Sequence, residues 1–170
     1  MNDIANDTEN FARAMRVLLA LEGGASDHPA DPGGYTKYGL ASRWYPQVLG
    51  PGFDLGDAEA LYRDRFWDRL RCPDMPWELA AVVFLQGVNQ GRGTVAKRLQ
   101  RALGGLVDDG AIGPATIGVV RQAEASERTE AVARDLIGRL HKRYAETANH
   151  GTFGRGWHNR LVAVQVAAFG

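Results

Sequence analysis

Two carboxylates and a hydroxyl lie near one another in the sequence, in surroundings that differ. Glu22 follows an apolar helical run from Phe11 to Leu21, and the glycines directly after it are typical of a helix end. Asp31 and Thr36 lie in the following Gly/Pro-rich stretch, which is typical of a loop. A buried helix end favours a protonated carboxyl group and a solvated loop favours an ionised one, so this pairing suits acid/base chemistry.

Hydrolysis of a glycosidic bond has this requirement. The reaction passes through an oxocarbenium-like transition state and normally uses two carboxyl groups in different protonation states. Glu22 would be the proton donor, Asp31 the base or the stabiliser of positive charge, and Thr36 could hold a water. Each residue also has a purely structural explanation. Glu22 could simply end a helix, Asp31 could form an Asx-turn, and Thr36 could make a loop hydrogen bond.

These residues belong to a longer pattern of small and turn-forming residues at fixed spacing. It reads Glu22-Gly-Gly and then His28-Pro-Ala-Asp31-Pro-Gly-Gly-Tyr-Thr36-Lys-Tyr-Gly39-Leu. The pattern resembles the signature of the glycosyl hydrolase family 108 muramidases, a family that includes phage endolysins and proteins once labelled secretion activators. The family more often has Asp at the position of His28, which leaves Asp27 as a possible substitute.

The resemblance implies an enzyme, a lysozyme-type N-acetylmuramidase. It would hydrolyse the β-1,4 bond between N-acetylmuramic acid and N-acetylglucosamine in peptidoglycan. The family treats the Glu of Glu-Gly-Gly as catalytic, so the resemblance assigns the general acid to Glu22. Asp31 and Thr36 have nearly the spacing of the Glu/Asp/Thr set of phage-type lysozymes. Retention or inversion of configuration depends on the separation of the two carboxylates, which the sequence leaves open.

Four further residues are candidates for a sugar-binding groove. Tyr35 and Tyr38 flank Thr36 in the loop region. Gln86 and Asn89 lie at the end of an apolar helical segment, where buried amides need hydrogen-bond partners. Those partners could be N-acetyl and hydroxyl groups of a sugar or the local backbone, and the sequence fits both.

A second pattern lies in the C-terminal half. It reads Leu99-Gln-Arg-Ala-Leu-Gly and then Asp109-Gly-Ala-Ile-Gly-Pro-Ala-Thr116. It is similar to the C-terminal region of the same family, which is often described as peptidoglycan-binding-like. We therefore expect a catalytic lysozyme-like region over 1–90 and a helical peptidoglycan-binding-like region over 91–170, packed together as one compact domain.

Apolar residues at helical spacing predict a mainly α-helical fold with a small loop or hairpin lobe, and the resemblance implies a lysozyme-like arrangement. The segment 77–88 is apolar nearly all round, which indicates a core helix buried on all sides. The other predicted helices run from Thr8 or Asp7 to Leu21, over 58–71 with Asp57 as cap, through 96–103, from Pro114, from a Ser126 cap to about residue 148, and over 157–169.

The composition narrows the partners and the compartment. The formal net charge is zero, so no general attraction to nucleic acid is expected. One cysteine, Cys72, excludes an internal disulfide framework. The polar, acidic N-terminal segment is unlike a secretory signal, and the longest apolar run, Leu79 to Leu85, is too short to span a bilayer. We expect a monomer made in the cytoplasm, without stable membrane insertion, that reaches peptidoglycan glycan strands through a holin or secretion channel.

Other wall-directed chemistries need residues that form no recognisable pattern here. A zinc amidase needs three ligands at metal-binding spacing, and the four histidines form no such motif. Cys72 has no visible partner as a nucleophile, and Asp109-Gly110 fits a turn better than an EF-hand loop. No metal or cofactor is therefore expected. The remaining alternative is a catalytically inactive peptidoglycan-binding or secretion-accessory module, which would keep the fold and the groove without turnover.

Overall fold

Seven α-helices and one two-stranded sheet make up the described part of the chain. The computed structural model describes residues 2–22, 34–146 and 150–170. The helices are α1 Asn2–Glu22, α2 Leu55–Tyr62, α3 Trp77–Gln90, α4 Arg92–Leu103, α5 Pro114–Ala125, α6 Thr129–Ala145 and α7 His150–Phe169. The strands are β1 Thr36–Lys37 and β2 Leu40–Ala41. The predicted mainly α-helical, lysozyme-like fold with a small hairpin lobe is confirmed.

Helix α3 is the centre of the core. Its residues from Leu79 to Gly87 are all buried, as the apolar sequence predicts. Helices α1, α4, α6 and α7 all pack against it. The rings that meet Phe84 at steep angles, with centroid distances from 5.4 to 6.3 Å, are those of Phe11, Tyr62 and Trp67. The first helix and the segment after α2 are thereby fixed to the same core helix.

The apolar faces of α6 and α7 complete the core. Leu136 and Leu140 of α6 are buried, as are Leu161, Val164 and Ala168 of α7. The two helices pack against each other and against α3. Among the residues that the structure describes, no helix is long and apolar enough to cross a membrane.

The hairpin lobe turns through two residues with positive φ. Strands β1 and β2 pair in antiparallel register and are joined by Tyr38 and Gly39, with φ of 53° and 79°. Positive φ at both central residues is typical of a type I′ turn, whose twist matches that of the flanking strands. Glycine adopts this conformation without strain, whereas Tyr38 adopts it at a cost.

Two hydrogen bonds attach this hairpin to the helical body. The buried Tyr62 hydroxyl donates to the Tyr38 carbonyl oxygen at 3.0 Å. The Lys37 ammonium donates to the Phe53 carbonyl oxygen at 2.7 Å. Because the first bond holds the carbonyl of the strained turn residue, α2 and the turn are coupled directly.

The predicted start of the first helix is wrong. Helix α1 begins at Asn2, before Thr8 or Asp7, so neither residue is its cap. Asp7 instead accepts a hydrogen bond from the Trp67 indole nitrogen at 2.8 Å and forms an ion pair with Arg63. Because the Asp7 carboxylate bonds these two side chains, it does not serve as a helix cap.

The predicted cap and extent of the second helix also need correction. The N-cap of α2 is Asp54, and Asp57 is its reciprocal partner in a capping box, with both N–H···O distances 3.0 Å. The predicted helix over 58–71 is divided, since α2 ends at Tyr62 and continues as a π-type segment, Arg63–Trp67.

The boundaries of the last two helices differ from prediction as well. Ser126 follows α5, and its hydroxyl donates to the Gln122 carbonyl oxygen at 2.6 Å, so it ends α5 rather than starting α6. Helix α6 begins at Thr129. Helix α7 begins at His150, before the predicted start at 157, and thus includes the glycines at positions 151, 154 and 156.

Candidate functional site

The catalytic candidate Glu22 is the last residue of α1. The helix is fixed by Phe11 and Leu18, which are buried in the core, so the position of its C-terminal end is determined by packing. The described chain continues at residue 34, two positions before the start of β1. Asp27, His28 and Asp31 lie outside the described residues. The role predicted for Asp31, and Asp27 as a possible substitute for the family's Asp at position 28, stay predictions.

Thr36 is the first residue of β1, which gives its backbone a fixed place in the hairpin. Its hydroxyl donates to the Gly34 carbonyl oxygen at 3.4 Å in an exposed position. A bond of that length is weak, so the hydroxyl can also engage a water. A water-holding role for Thr36 is compatible with this position and stays a prediction.

The two loop tyrosines are partly buried and pack against the core. Tyr38 forms the strained turn, and its ring lies 6.5 Å from that of Phe53 and 5.4 Å from the Lys37 ammonium. Tyr35 lies directly before β1. Both tyrosines therefore have structural contacts in the hairpin, and contact with a sugar remains a prediction for each.

A surface depression runs between the hairpin and the helical body. One pocket, of about 350 Å³, is lined by Gly39, Leu40, Ala41, Trp44, Tyr45, Tyr62, Phe66 and Val88. A second, of about 280 Å³, is lined by Trp44, Tyr45, Gln47, Arg65, Phe66 and Arg92. The two share three aromatic residues, and together we call them the hairpin groove.

Trp44 is the most conspicuous residue of the hairpin groove. Its side chain is 65% exposed, although an indole of this size normally finds cover in a folded protein. An exposed aromatic face beside arginine N–H groups suits a sugar, because the ring stacks on the apolar face of the pyranose and the arginines bond its oxygens. The sequence prediction missed Trp44, and the adjacent aromatics Trp44-Tyr45 outside any helical pattern were the available signal.

Tyr45, which also lines the hairpin groove, keeps its hydroxyl group protonated. Burial raises the pKa of Tyr45, and the charges of Arg65 and Arg92 partly oppose that shift. A neutral phenol can both donate and accept a hydrogen bond. The hairpin groove therefore offers an aromatic face, two guanidinium groups and one phenol.

Gln86 and Asn89 lie at the end of α3 and face a tyrosine of α6. The Tyr144 hydroxyl lies 3.2 Å from Gln86 Oε1 and is also hydrogen-bonded to Asn89 Oδ1. Gln90 Nε2 donates to Gln86 Oε1 at 3.0 Å. Gln86 is fully buried, whereas Asn89 is exposed. The amide oxygens of both residues thus have partners within the protein, whereas Gln86 Nε2 is buried and has no hydrogen-bond partner among the described residues. Because Gln86 is fully buried, a sugar could reach it only after the end of α3 opened.

The second sequence pattern builds a turn around one buried glutamine. Gln100 Nε2 donates to Asp109 Oδ1 at 2.7 Å and to the Ala111 carbonyl oxygen at 3.1 Å, while its Oε1 accepts from the Gly110 N–H at 2.9 Å. The Ala111 N–H and Gln100 lower the pKa of Asp109 by bonding to its ionised form. The predicted turn at Asp109-Gly110 is confirmed. Within the described ranges, no group of three His, Cys, Asp or Glu could hold a metal ion.

Comparison with known proteins finds two family models and a similar solved structure. Residues 15–91 match the family model described as glycosyl hydrolase 108, and residues 95–162 match the one described as a predicted peptidoglycan domain. The solved structure of Brucella abortus SagA is similar over 95% of this chain and 94% of that chain, with 28% identity and a TM-score of 0.80. No match was found among curated proteins. The chain thus combines a region similar to glycosyl hydrolase 108, over residues 15–91, with a region similar to a predicted peptidoglycan domain, over residues 95–162.

Proposed function

We propose that the chain is an N-acetylmuramidase that cleaves the β-1,4 bond between N-acetylmuramic acid and N-acetylglucosamine. The observation that carries this proposal is the position of Glu22. It is the last residue of a core-anchored helix, and it lies within the region matched to glycosyl hydrolase 108. The family supports a glycoside hydrolase directed at peptidoglycan, and the particular bond is part of the proposal.

The proposed mechanism assigns one role to each carboxyl group. Glu22 donates a proton to the glycosidic oxygen as the bond to the anomeric carbon breaks. Asp31 either stabilises the positive charge that develops on the sugar or takes a proton from the attacking water, and Thr36 positions that water. A wide carboxylate separation would give inversion, and a narrow one would allow a covalent intermediate and retention.

The hairpin groove is the proposed place for the glycan next to this centre. Trp44 would stack on one sugar, and Tyr35, Tyr38 and Asn89 would contact neighbouring sugars. We propose that region 1–90 performs the hydrolysis and that the packed helical region 91–170 contributes wall binding. Gln86 keeps a place in this proposal only as the residue that orients the end of α3 through Tyr144.

The same proposal includes the route to the substrate. The enzyme would be made in the cytoplasm, pass to the wall through a holin or a secretion channel, and act on it as a monomer. Light scattering of the purified protein and fractionation of producing cells before and after lysis would test these two points separately.

Purified peptidoglycan treated with the wild type and with Glu22→Gln tests the proposed chemistry. We expect the wild type to release reducing ends and the variant to lose at least about a hundredfold of that rate, as when a general acid is removed. Glu9→Gln is the matched control, since it makes the same change at an exposed position of α1. Release of free amines in place of reducing ends would overturn the proposal, because it indicates amide cleavage.

A second candidate function is an inactive wall-binding or secretion-accessory module. The match of residues 95–162 to a predicted peptidoglycan domain favours it, because that region alone could account for binding. In the same assay this function predicts that the protein sediments with peptidoglycan while neither reducing ends nor amines appear. The rate of reducing-end release therefore separates the two candidates directly.

A further inference from the structure

A cationic pocket lies between α4 and α6, and it shares no lining residue with the hairpin groove. It has a volume of about 230 Å³ and is lined by Arg98, Arg101, Arg139, Lys142, Arg143 and Glu146. We call it the α4–α6 pocket. Its α4 residues stand three positions apart and its cationic α6 residues three and four apart, so each helix presents its charges on one face.

The charge of this pocket is out of proportion to the chain as a whole. The formal net charge of the protein is zero, yet five cationic side chains and a single carboxylate line this one small space. Arg98 is half-buried, and burial lowers its pKa, as do the neighbouring charges of Arg143 and Arg101. Three of the five cations, Arg101, Arg139 and Lys142, contact a carboxylate, so the repulsion that an anion in the pocket would relieve is centred on Arg98.

The acidic neighbours of the pocket leave arginine donors available. Among the described residues, Arg139 contacts Asp135 through Nε at 2.8 Å, and Arg101 contacts Asp108 through Nε. A guanidinium group has five N–H donors, so one such contact occupies a minority of them. The two flanking carboxylates orient the guanidinium planes without using all their donors.

The lining also indicates what kind of ligand fits. All six lining residues are charged, and the lining contains no aromatic ring on which a pyranose could stack. The pocket therefore suits a charged end group and not a sugar ring, in contrast to the hairpin groove.

We propose that the α4–α6 pocket binds the carboxylates of the peptide stems of peptidoglycan. This proposal rests on the proposed action of the chain on peptidoglycan. The stems carry free carboxylates, whereas the alternating glycan backbone offers mainly hydroxyl and N-acetyl groups. Arginine forks match a planar carboxylate in two parallel hydrogen bonds. The pocket lies within residues 95–162, the part matched to a predicted peptidoglycan domain.

Calorimetric titration with soluble peptidoglycan fragments tests this assignment. The protein carries Glu22→Gln in every arm, so that hydrolysis does not consume the fragments. The probes are fragments with free stem carboxylates, the same fragments with amidated carboxylates, an N-acetylglucosamine oligomer that has neither stems nor lactyl carboxylates, and inorganic phosphate. The pocket variant is Arg98→Gln with Arg139→Gln. The control is Arg121→Gln with Arg134→Gln, which removes the same charge from exposed sites outside the pocket.

We expect the pocket variant to bind free-carboxylate fragments about tenfold or more weakly than the control, as is usual when a charged hydrogen bond is lost. Amidated fragments should bind the parent protein as weakly as free-carboxylate fragments bind the pocket variant. Equal affinity of the pocket variant and the control for free-carboxylate fragments would overturn the proposal. Equal affinity of the parent protein for these fragments and for the N-acetylglucosamine oligomer would also overturn it. Tight binding of phosphate with no discrimination between free and amidated stems would assign the pocket to a phosphate-bearing ligand and also overturn it.

A second variant guards against a folding defect. Lys142 is 77% exposed in its side chain, so Lys142→Glu reverses one pocket charge with little effect on the core. It should weaken carboxylate binding in the same direction. Hydrolysis of stem-free glycan by the pocket variant, in the background with Glu22 intact, should match the control. Hydrolysis of stem-free glycan tests only the proposed muramidase activity. The experiment therefore distinguishes failure of the pocket proposal from failure of the proposed catalytic function.

Discussion

His141 on α6 and His158 on α7 lie with their Nδ1 atoms 2.7 Å apart and their rings stacked at 13°. In such a pair one ring nitrogen donates and the other accepts, so at least one imidazole must be neutral at that atom. A second proton would place two donors against each other. The pair joins two helices that pack on α3, so its protonation bears on the stability of the core.

We expect stability to fall as the pH drops below about 6.5, the ordinary value for histidine. Burial, and then the neighbouring His158, lower the pKa of His141 in the folded protein. The unfolded chain therefore binds more protons in this window, so stability is present above the ordinary pKa and is lost as pH falls through the folded pKa. Melting temperatures of the wild type and His141→Gln between about pH 5 and pH 8 measure this. The melting temperature should change less with pH in His141→Gln than in the wild type. An identical pH dependence in the two proteins would show that His141 does not cause the loss of stability.

Truncation of Trp44 should weaken substrate binding without loss of stability. The side chain is 65% exposed, so Trp44→Ala removes little core packing. Loss of one stacking contact, at about 0.5–1.5 kcal/mol, corresponds to a rise in KM of about two- to tenfold. Steady-state release of reducing ends from soluble glycan gives KM and kcat separately.

Val107→Ala is the control for this change. Val107 is 80% exposed and lines neither pocket of the hairpin groove. The KM of the Val107→Ala variant should equal that of the wild type. Trp44→Phe should recover part of the lost affinity, since a smaller aromatic face remains. An unchanged KM for Trp44→Ala would remove the groove from the substrate path.

Tyr62→Phe should loosen the hairpin. The variant keeps the buried ring that contacts Phe84 and removes the hydroxyl that bonds the Tyr38 carbonyl oxygen. The bond is part-buried, so its loss should cost about 0.5–1.5 kcal/mol, as is usual for one hydrogen bond. Urea unfolding should give a lower midpoint with an unchanged m-value, and hydrogen exchange should quicken at the β1–β2 amides. Equal exchange rates in the two proteins would show that the turn does not depend on this bond.

The sequence alone predicts those helices whose formation and burial depend on residues close together in the chain. An apolar run with no polar face identifies α3 as buried, and Gly-Pro at 113–114 identifies the start of α5. Helix caps are less predictable because several acids near a helix start can serve. Asp54 and Asp57 both accept backbone bonds at α2, and only the geometry makes the first the cap.

The site depends more on contacts between distant residues. Tyr144 lies 58 positions from Gln86 and takes up the amide oxygen that the sequence left available to a sugar. Asp7 lies 60 positions from Trp67, and that contact removed it from the role of cap. Glu22 at the end of α1 needed only local information, namely an apolar helix followed by glycines. Pairings across such separations have no periodic signal in one sequence, so packing decides them.

Gly87→Ala should destabilise the centre of the fold, whereas the same change at Gly138 should not. A Cβ added at Gly87 would lie 2.5 Å from Leu70 Cδ1, and Leu70 is itself buried, so overpacking should cost about 1–3 kcal/mol. A Cβ at Gly138 meets nothing within 4 Å on α6, so Gly138→Ala should stabilise the helix by about 0.5–1 kcal/mol. Urea unfolding of both variants measures whether each change lowers or raises the free energy of unfolding. Leu70→Val should restore part of the loss at Gly87, since it shortens the side chain that clashes, and its failure to do so would place the strain elsewhere.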